Sequence, residues 1–371
     1  MRIALVHDYL TQFGGAERVL EAFHEIWPAA PIFTSLFNPP AFPEHWRSWD
    51  IRESALGHIP GARHHHRALL PLYPLAFAGF RSQLASYDVI LSDTSAWAHQ
   101  AGGTAQLRVA YCHSPSRFLW GDETYLRPAR IPAPVRRAMD VGFGALRRLD
   151  RRAASELDVV VANSRAVANR IETVWGRTAR VVHPPIAMDR FTPARPAEIE
   201  PFALVVSRLV PHKRIDLAID ACTATGRPLR VVGSGPAEER LRRRAGPSVE
   251  FLGQCSDIET ADLMRRCLVF ILPGQEDFGI TAVEAQAAGR PVVAFRGGGA
   301  LESVIDGQTG ILFDEQRPEV LAEALDIAEL INWSAEACRA NAMRFATPRF
   351  KAEMAEIVES AWRARFGGLP K

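Results

Sequence analysis

The stretch Gly274-Gln275-Glu276-Asp277-Phe278-Gly279-Ile280-Thr281-Ala282-Val283-Glu284-Ala285-Gln286-Ala287-Ala288-Gly289 decides how this chain is read. The apolar run Leu268 to Leu272 precedes it and reads as a buried strand. Thr281 to Ala288 reads as a helix, stopped by Gly289, and Pro291 to Phe295 begins the next strand. Strand, loop, helix and strand in this order make the unit of a parallel sheet. In such sheets ligands bind beyond the carboxyl ends of the strands. That places Glu276 in a ligand-side loop and Glu284 in the first turn of the helix, with seven residues between them.

Two readings fit the pair of acids. Thr281 and Glu284 have the spacing of a capping box, which would make them purely structural. Alternatively the helix amides near Phe278, Gly279, Ile280 and Thr281 hold an anionic group such as a phosphate. Glu276 then accepts from sugar hydroxyls and Glu284 from ribose hydroxyls, through charge-assisted hydrogen bonds.

Glu276 and Glu284, with Phe278-Gly279 between them, resemble the signature of retaining glycosyltransferase family 4. The resemblance implies the GT-B fold: two Rossmann-like, doubly wound α/β domains facing across a cleft. It also implies a nucleotide-sugar donor. It extends over the whole chain and is weakest at residues 37–80, where no shared motif occurs.

The chain has 371 residues, enough for two domains. Its 47% hydrophobic and 23% charged content is that of a globular protein, and a net charge of +2 does not argue for nucleic acid. Five scattered cysteines without a Cys-x-x-Cys pattern suggest neither a disulfide framework nor a zinc site, and fit a reducing cytosol. The opening residues read as a strand rather than a secretory leader, and no run reaches the roughly 20 apolar residues of a spanning helix. A cytoplasmic location is expected, with the inner face of the plasma membrane as an alternative.

In the first half, strands are expected at Arg2–Val6, Pro31–Leu36, Asp88–Ser92, Arg108–Cys112, Asp158–Asn163 and Ala179–His183. Gly14-Gly15 lies between the first strand and a helix, where glycine lets backbone approach a ligand; a plain tight turn is the alternative. It does not form the Gly-x-Gly-x-x-Gly pattern, which argues against a nicotinamide enzyme. The resemblance places Gly15 under the donor diphosphate. His113 sits just past a strand, within Tyr111-Cys112-His113-Ser114-Pro115, where a site residue would stand, or a histidine bonded to a neighbouring loop. The resemblance makes it reach toward the donor sugar and β-phosphate. This segment is also similar to the branch that builds bacterial surface polysaccharides, often with mannose.

Two stretches combine basic and apolar residues, Arg63 to Phe80 and Arg127 to Arg152. They fit interfacial helices on an anionic membrane, or two ordinary helices with solvated basic faces. His64-His65-His66 is a poor metal site, because consecutive residues do not share a helix face.

The Pro-rich segment after His183-Pro184-Pro185 marks the domain boundary. Residues 1–190 are the expected acceptor-side domain and 198–349 the nucleotide-sugar domain, with helix 350–371 packing back on the first. Strands are expected at Phe202–Val206, Leu229–Val232, Val249–Gly253, Leu268–Leu272, Pro291–Phe295 and Ile311–Phe313. After the first of these, Ser207-Arg208 and Lys213 precede a helix. Arg208 and Lys213 can neutralise a diphosphate or form an exposed basic turn; the resemblance puts both on the leaving diphosphate. Gly233 and Gly235 fit a nucleotide or a strand-to-helix turn, and Gln254 to Asp257 would lie near the base.

The implied reaction is hexosyl transfer with retention, moving mannose from GDP-mannose to a glycan or polyprenyl-diphosphate-linked acceptor. No Asp-x-Asp metal motif occurs, so no metal and no cofactor are expected. Another GT-B enzyme, such as a sugar-nucleotide epimerase or a phosphorylase, and a non-catalytic donor-binding protein are the alternatives.

Overall fold

The computed structural model describes residues 1–63, 65–121 and 133–368. The chain divides into two compact units, Met1–His183 with the residues from Lys351 onward, and Pro184–Phe350.

In the first unit, seven parallel strands form one sheet among the described residues. They are β1 (Ile3–His7), β2 (Ile32–Thr34), β3 (Ile51–Glu53), β4 (Val89–Thr94), β5 (Leu107–Cys112), β6 (Val159–Ala162) and β7 (Arg180–Val181). Their order is β3-β2-β1-β4-β5-β6-β7. Every residue of β1, β4 and β5 is buried, as expected of central parallel strands covered on both faces. β3 escapes the sequence reading. It is a three-residue, half-buried edge strand, too short to show an apolar run. Lys351 pairs with Glu25 within this unit, and Arg365 binds both Asp158 and the Thr104 carbonyl.

The second unit carries β8 (Ala203–Val206), β9 (Leu229–Val232), β10 (Val249–Gly253), β11 (Val269–Leu272), β12 (Val292–Phe295) and β13 (Gly310–Phe313). They run parallel in the order β10-β9-β8-β11-β12-β13. Side chains of β11 alternate between two cores. Phe270 and Leu272 pack with Ala282, Val283 and Ala285 on one face. Val269 and Ile271 pack with Ile215, Leu217 and Leu321 on the other. Local chemistry sets the helix ends. Ser164 caps the helix Arg165–Trp175, which Gly176 closes in the left-handed region at φ 65°. Ser256 and Glu259 form a capping box on the helix Asp257–Arg266.

The stretches at 63–80 and 127–152 are only partly described. His64, residues 127–132 and the side chains of Val135 and Met139 lie outside the described residues. Of the remainder, Tyr73, Phe77, Phe143 and Leu146 pack in or against the first unit's core, while Leu72 and Leu75 are exposed. Among the described residues no helix is long and apolar enough to cross a membrane.

Candidate functional site

In the second unit the predicted residues collect at the carboxyl ends of β8, β9, β11 and β12. The turn Pro211–Lys213 follows β8, and Arg214 then enters the left-handed region at φ 52° before the helix Ile215–Thr225. It is the only non-glycine with positive φ among the described residues. Such a conformation costs about 1–2 kcal/mol. Two bonds hold it: the Arg214 guanidinium donates to Asp216 at 3.2 Å and to Gln316 at 3.1 Å. Gln316 in turn donates to the Pro273 carbonyl at 3.2 Å, bracing this turn against the loop after β11. A side chain at Gly274 would meet the His212 and Lys213 carbonyls at 2.8–2.9 Å. The two loops therefore lie backbone against backbone, and the Lys213 ammonium donates to the Glu276 carboxylate. Both side chains are largely buried, at 18% and 14% exposure.

The loop after β12 holds Glu276 from the other side. Gly299 N–H donates to the Glu276 carbonyl at 3.0 Å. Gly298 has φ 61°, and a Cβ there would stand 2.0 Å from the same carbonyl oxygen. Only glycine fits that position.

The capping-box reading of Thr281 and Glu284 is overturned. The helix is Ile280–Ala287 and its N-cap is Gly279 at φ 85°, with no side-chain cap. Thr281 is thus the second helical residue, and Glu284 falls in the second turn rather than the first. The misreading arose because Gly279 starts the helix by its backbone conformation, two residues before the threonine that offered itself as the cap. Phe278 is buried against Phe345 and anchors the loop. Glu284 faces a residue that sequence reasoning missed. Arg190 approaches it at 3.9 Å and Asp257 at 3.0 Å.

Arg208 is exposed, and its guanidinium has no recorded partner among the described residues. Ser207 N–H donates to Val232 at 3.0 Å. Gly233 has φ 125°, and a Cβ there would lie 1.9 Å from the Ser207 carbonyl oxygen. A Cβ on Gly235 would lie 2.4 Å from the Leu209 carbonyl oxygen. Both glycines let the loops after β8 and β9 touch, so the fold alone requires them. Gln254 donates to Ser234 at 2.9 Å, tying in the loop after β10.

The first unit gathers a separate charged cluster at its strand ends. Gly15 is the first residue of the helix Gly15–Ile26, after an N-cap glycine with no side-chain cap. His113 follows β5 and donates its backbone N–H to Thr94 at 2.8 Å. Its Nε2 lies 2.6 Å from Asp93 Oδ1. The other oxygen of Asp93 is 2.9 Å from His7 Nδ1, and His7 Nε2 is 3.7 Å from Glu17. Burial alone would drive the His7 proton off, but hydrogen bonds and charge from Asp93 and Glu17 prevail and raise its pKa to about 10. Burial opposes ionisation of Asp93, yet His113 and His7 hold its pKa below the ordinary value. His7, Asp93 and Glu17 were not singled out from the sequence. The available cue was a histidine or an aspartate ending an apolar run.

Among the described residues no cluster of three or more His, Cys, Asp or Glu is arranged to hold a metal ion.

Residues 190–345 match the family described as Glycosyl transferases group 1. Over 219 residues the chain is 32% identical to a GDP-mannose-dependent alpha-(1-6)-phosphatidylinositol monomannoside mannosyltransferase of Mycolicibacterium smegmatis, covering 50% of this chain and 57% of that one. Over 136 residues it is 37% identical to an uncharacterised glycosyltransferase of Methanocaldococcus jannaschii, covering 35% and 38%. The chain thus spans about half the length or less of these curated relatives. Among solved structures, Anabaena HepE in complex with UDP and glucose aligns with a TM-score of 0.74 at 23% identity, covering 97% of this chain and 100% of that one. The sucrose-phosphate synthase of Thermosynechococcus elongatus aligns with a TM-score of 0.75 at 19% identity, covering 98% and 100%. At these identities the likeness is one of fold. The chain has the GT-B fold, and residues 190–345, within its second unit, match the group 1 glycosyl transferases.

Proposed function

We propose that this chain is a retaining, metal-independent hexosyltransferase of the family 4 type. It would move mannose from GDP-mannose to a hydroxyl of a lipid-linked glycan in bacterial surface polysaccharide synthesis. The carrying observation is the Lys213–Glu276 pair beside the uncapped start of the helix Ile280–Ala287. A cation, a carboxylate and helix amides converge there, matching the needs of a diphosphate joined to a sugar. The mannosyltransferase relative, GDP-mannose-dependent by its name, supports the choice of donor.

In this reading Arg208, Lys213 and the amides from Phe278 to Thr281 hold the leaving diphosphate, with Ser207, Gly233 and Gly235 lining the nucleotide. Glu276 accepts from sugar hydroxyls and Glu284 from the ribose. Gly15 and His113, carried by the acceptor-side domain (residues 1–190), act on the β-phosphate and sugar. The donor domain is residues 198–349, and the last helix, Thr347–Phe366, returns to the first unit from Lys351 onward. The anomeric bond to the leaving phosphate breaks while the acceptor oxygen bonds to the same face. The acceptor proton passes to the departing phosphate oxygen. Fixed donors of this kind contribute about 3–4 kcal/mol each to a transition state. The domain would work at the inner face of the plasma membrane, through peripheral contact.

A donor panel tests this. Thermal shift and donor hydrolysis are measured with magnesium and with chelator. Stabilisation by GDP-mannose that chelator leaves unchanged is the expected result. Stabilisation by UDP-sugars alone overturns the donor assignment. No response to any nucleotide sugar overturns the transferase reading and leaves a GT-B protein without a donor site.

A further inference from the structure

The first unit holds a connected row of four side chains: His113, Asp93, His7 and Glu17. They come from the adjacent strands β1 and β4, from the residue that follows β5, and from the helix that follows the glycine pair. The register makes the row. His7 and Asp93 are directly paired across β1 and β4, and Asp93 is paired with Tyr111 across β4 and β5. Asp93 is 1% exposed and His7 4%, so both lie beyond direct reach of a substrate. His113 is 14% exposed in its side chain and is the row's accessible end.

We infer that Asp93 is a positioning residue for His113, fixing the imidazole so that Nε2 carries the proton and Nδ1 is presented to the substrate. The inference rests on the transferase reading given above. A carboxylate only accepts hydrogen bonds. With one oxygen 2.6 Å from His113 Nε2 and the other 2.9 Å from His7 Nδ1, both facing nitrogens must carry protons. Asp93 is ionised well below neutral pH, which keeps it an acceptor. His7 is the buried cation that lets it remain so, and Glu17 balances that cation on the far side. Nδ1 of His113 has no recorded partner among the described residues. As a neutral ring it accepts from a sugar hydroxyl there; as a protonated ring it donates to a phosphate oxygen. The same row ties the first turn of the helix Gly15–Ile26, through Glu17, to the loop that carries His113.

The test uses the full chain labelled with 15N in histidine. Long-range proton–nitrogen correlation spectra at neutral pH report which nitrogen holds each proton. The expected result for His113, assigned with a His113→Gln variant, is protonation at Nε2. A proton on Nδ1 alone overturns the inference. The Asp93→Asn variant retains one acceptor and gains one donor, so one of the two facing nitrogens must give up its proton, His113 by changing tautomer or His7 by losing its charge. The expected consequence is a kcat lower by about 10²-fold or more, since the corresponding change behind a catalytic histidine elsewhere lowers kcat about 10⁴-fold. The donor KM should stay within about threefold of wild type, because most of the donor contacts are assigned to the second unit. If the variant is folded and keeps the wild-type kcat, the positioning role is refuted while the transferase reading stands. If wild type turns over no nucleotide sugar, the transferase reading falls and the role with it. If the variant does not fold, the wild-type tautomer decides alone.

Discussion

The Lys213 ammonium donates to the Glu276 carboxylate although 63 positions separate the two residues. The sequence reading placed them on different parts of a donor, the cation on the diphosphate and the acid on the sugar. Their direct contact makes them one electrostatic unit, so their effects on catalysis must be coupled. Lys213→Met and Glu276→Gln should each lower kcat by about 10²–10³. The double variant should lose less than the sum of the two, with a coupling of about 0.5–3 kcal/mol in kcat/KM. Additive losses would show that the pair does not act together. Glu276→Ala should leave nucleotide binding nearly intact.

Glu284 and Arg190 should behave differently from that pair. Glu284→Ala removes an acceptor assigned to the ribose, worth about 1.5–3 kcal/mol for a bond to a charged group. The Kd for GDP should rise about ten- to hundredfold. Arg190→Ala should weaken GDP in the same direction but less, because it acts through Glu284 and Asp257. Calorimetric titration checks both. A Glu284→Ala protein with unchanged Kd and a lower melting temperature would return the residue to a structural role.

Gly298→Ala isolates the backbone contact that holds Glu276. The added Cβ would stand 2.0 Å from the Glu276 carbonyl oxygen, at a φ of 61°. Gly307→Ala is the comparison, with φ 74° and open space around its Cβ. Both incur about 1–2 kcal/mol for the left-handed backbone. Gly298→Ala should be the more destabilised by urea titration, and it alone should lose transferase activity.

The His7 site predicts a dependence of stability on pH. Native His7 keeps its proton to about pH 10, while the ordinary imidazole releases it near 6.5. Its contribution to stability is therefore complete below pH 6.5 and lost as pH rises toward 10. Asp93 acts in the opposite sense, contributing above the ordinary carboxyl range and losing that contribution in acid. The melting temperature should fall between pH 6.5 and about 7.5, below the range where thiols titrate in the unfolded chain. A His7→Gln variant should be less stable at pH 6.5 and flatter across this window. An equal slope in the variant would assign the pH dependence to other groups.

Much of the second unit was legible without coordinates. Its strands are mainly apolar runs, three of them (β9, β10 and β11) ended by Gly or Pro, and they appear within one residue of the expected positions. The missed strand Ile51–Glu53 is an edge element whose half-buried pattern leaves little signal. The cap of the helix after Glu276 was misplaced by two residues, because Thr281 offers capping chemistry that Gly279 pre-empts by its backbone conformation.

The sequence by itself determined the alternation of strands and helices, the parallel sheets that follow from it, and the loops that would carry a site. Those depend on local periodicity and turn chemistry, which are written in neighbouring residues. Only the tertiary structure decided the partners: Lys213 with Glu276, Arg190 with Glu284, and His113 with Asp93 and His7. Each pair joins residues far apart in the chain, brought together by strand register and by glycine-permitted contacts between loops. In buried surroundings those partners set the protonation and orientation of the groups, and no local pattern encodes that.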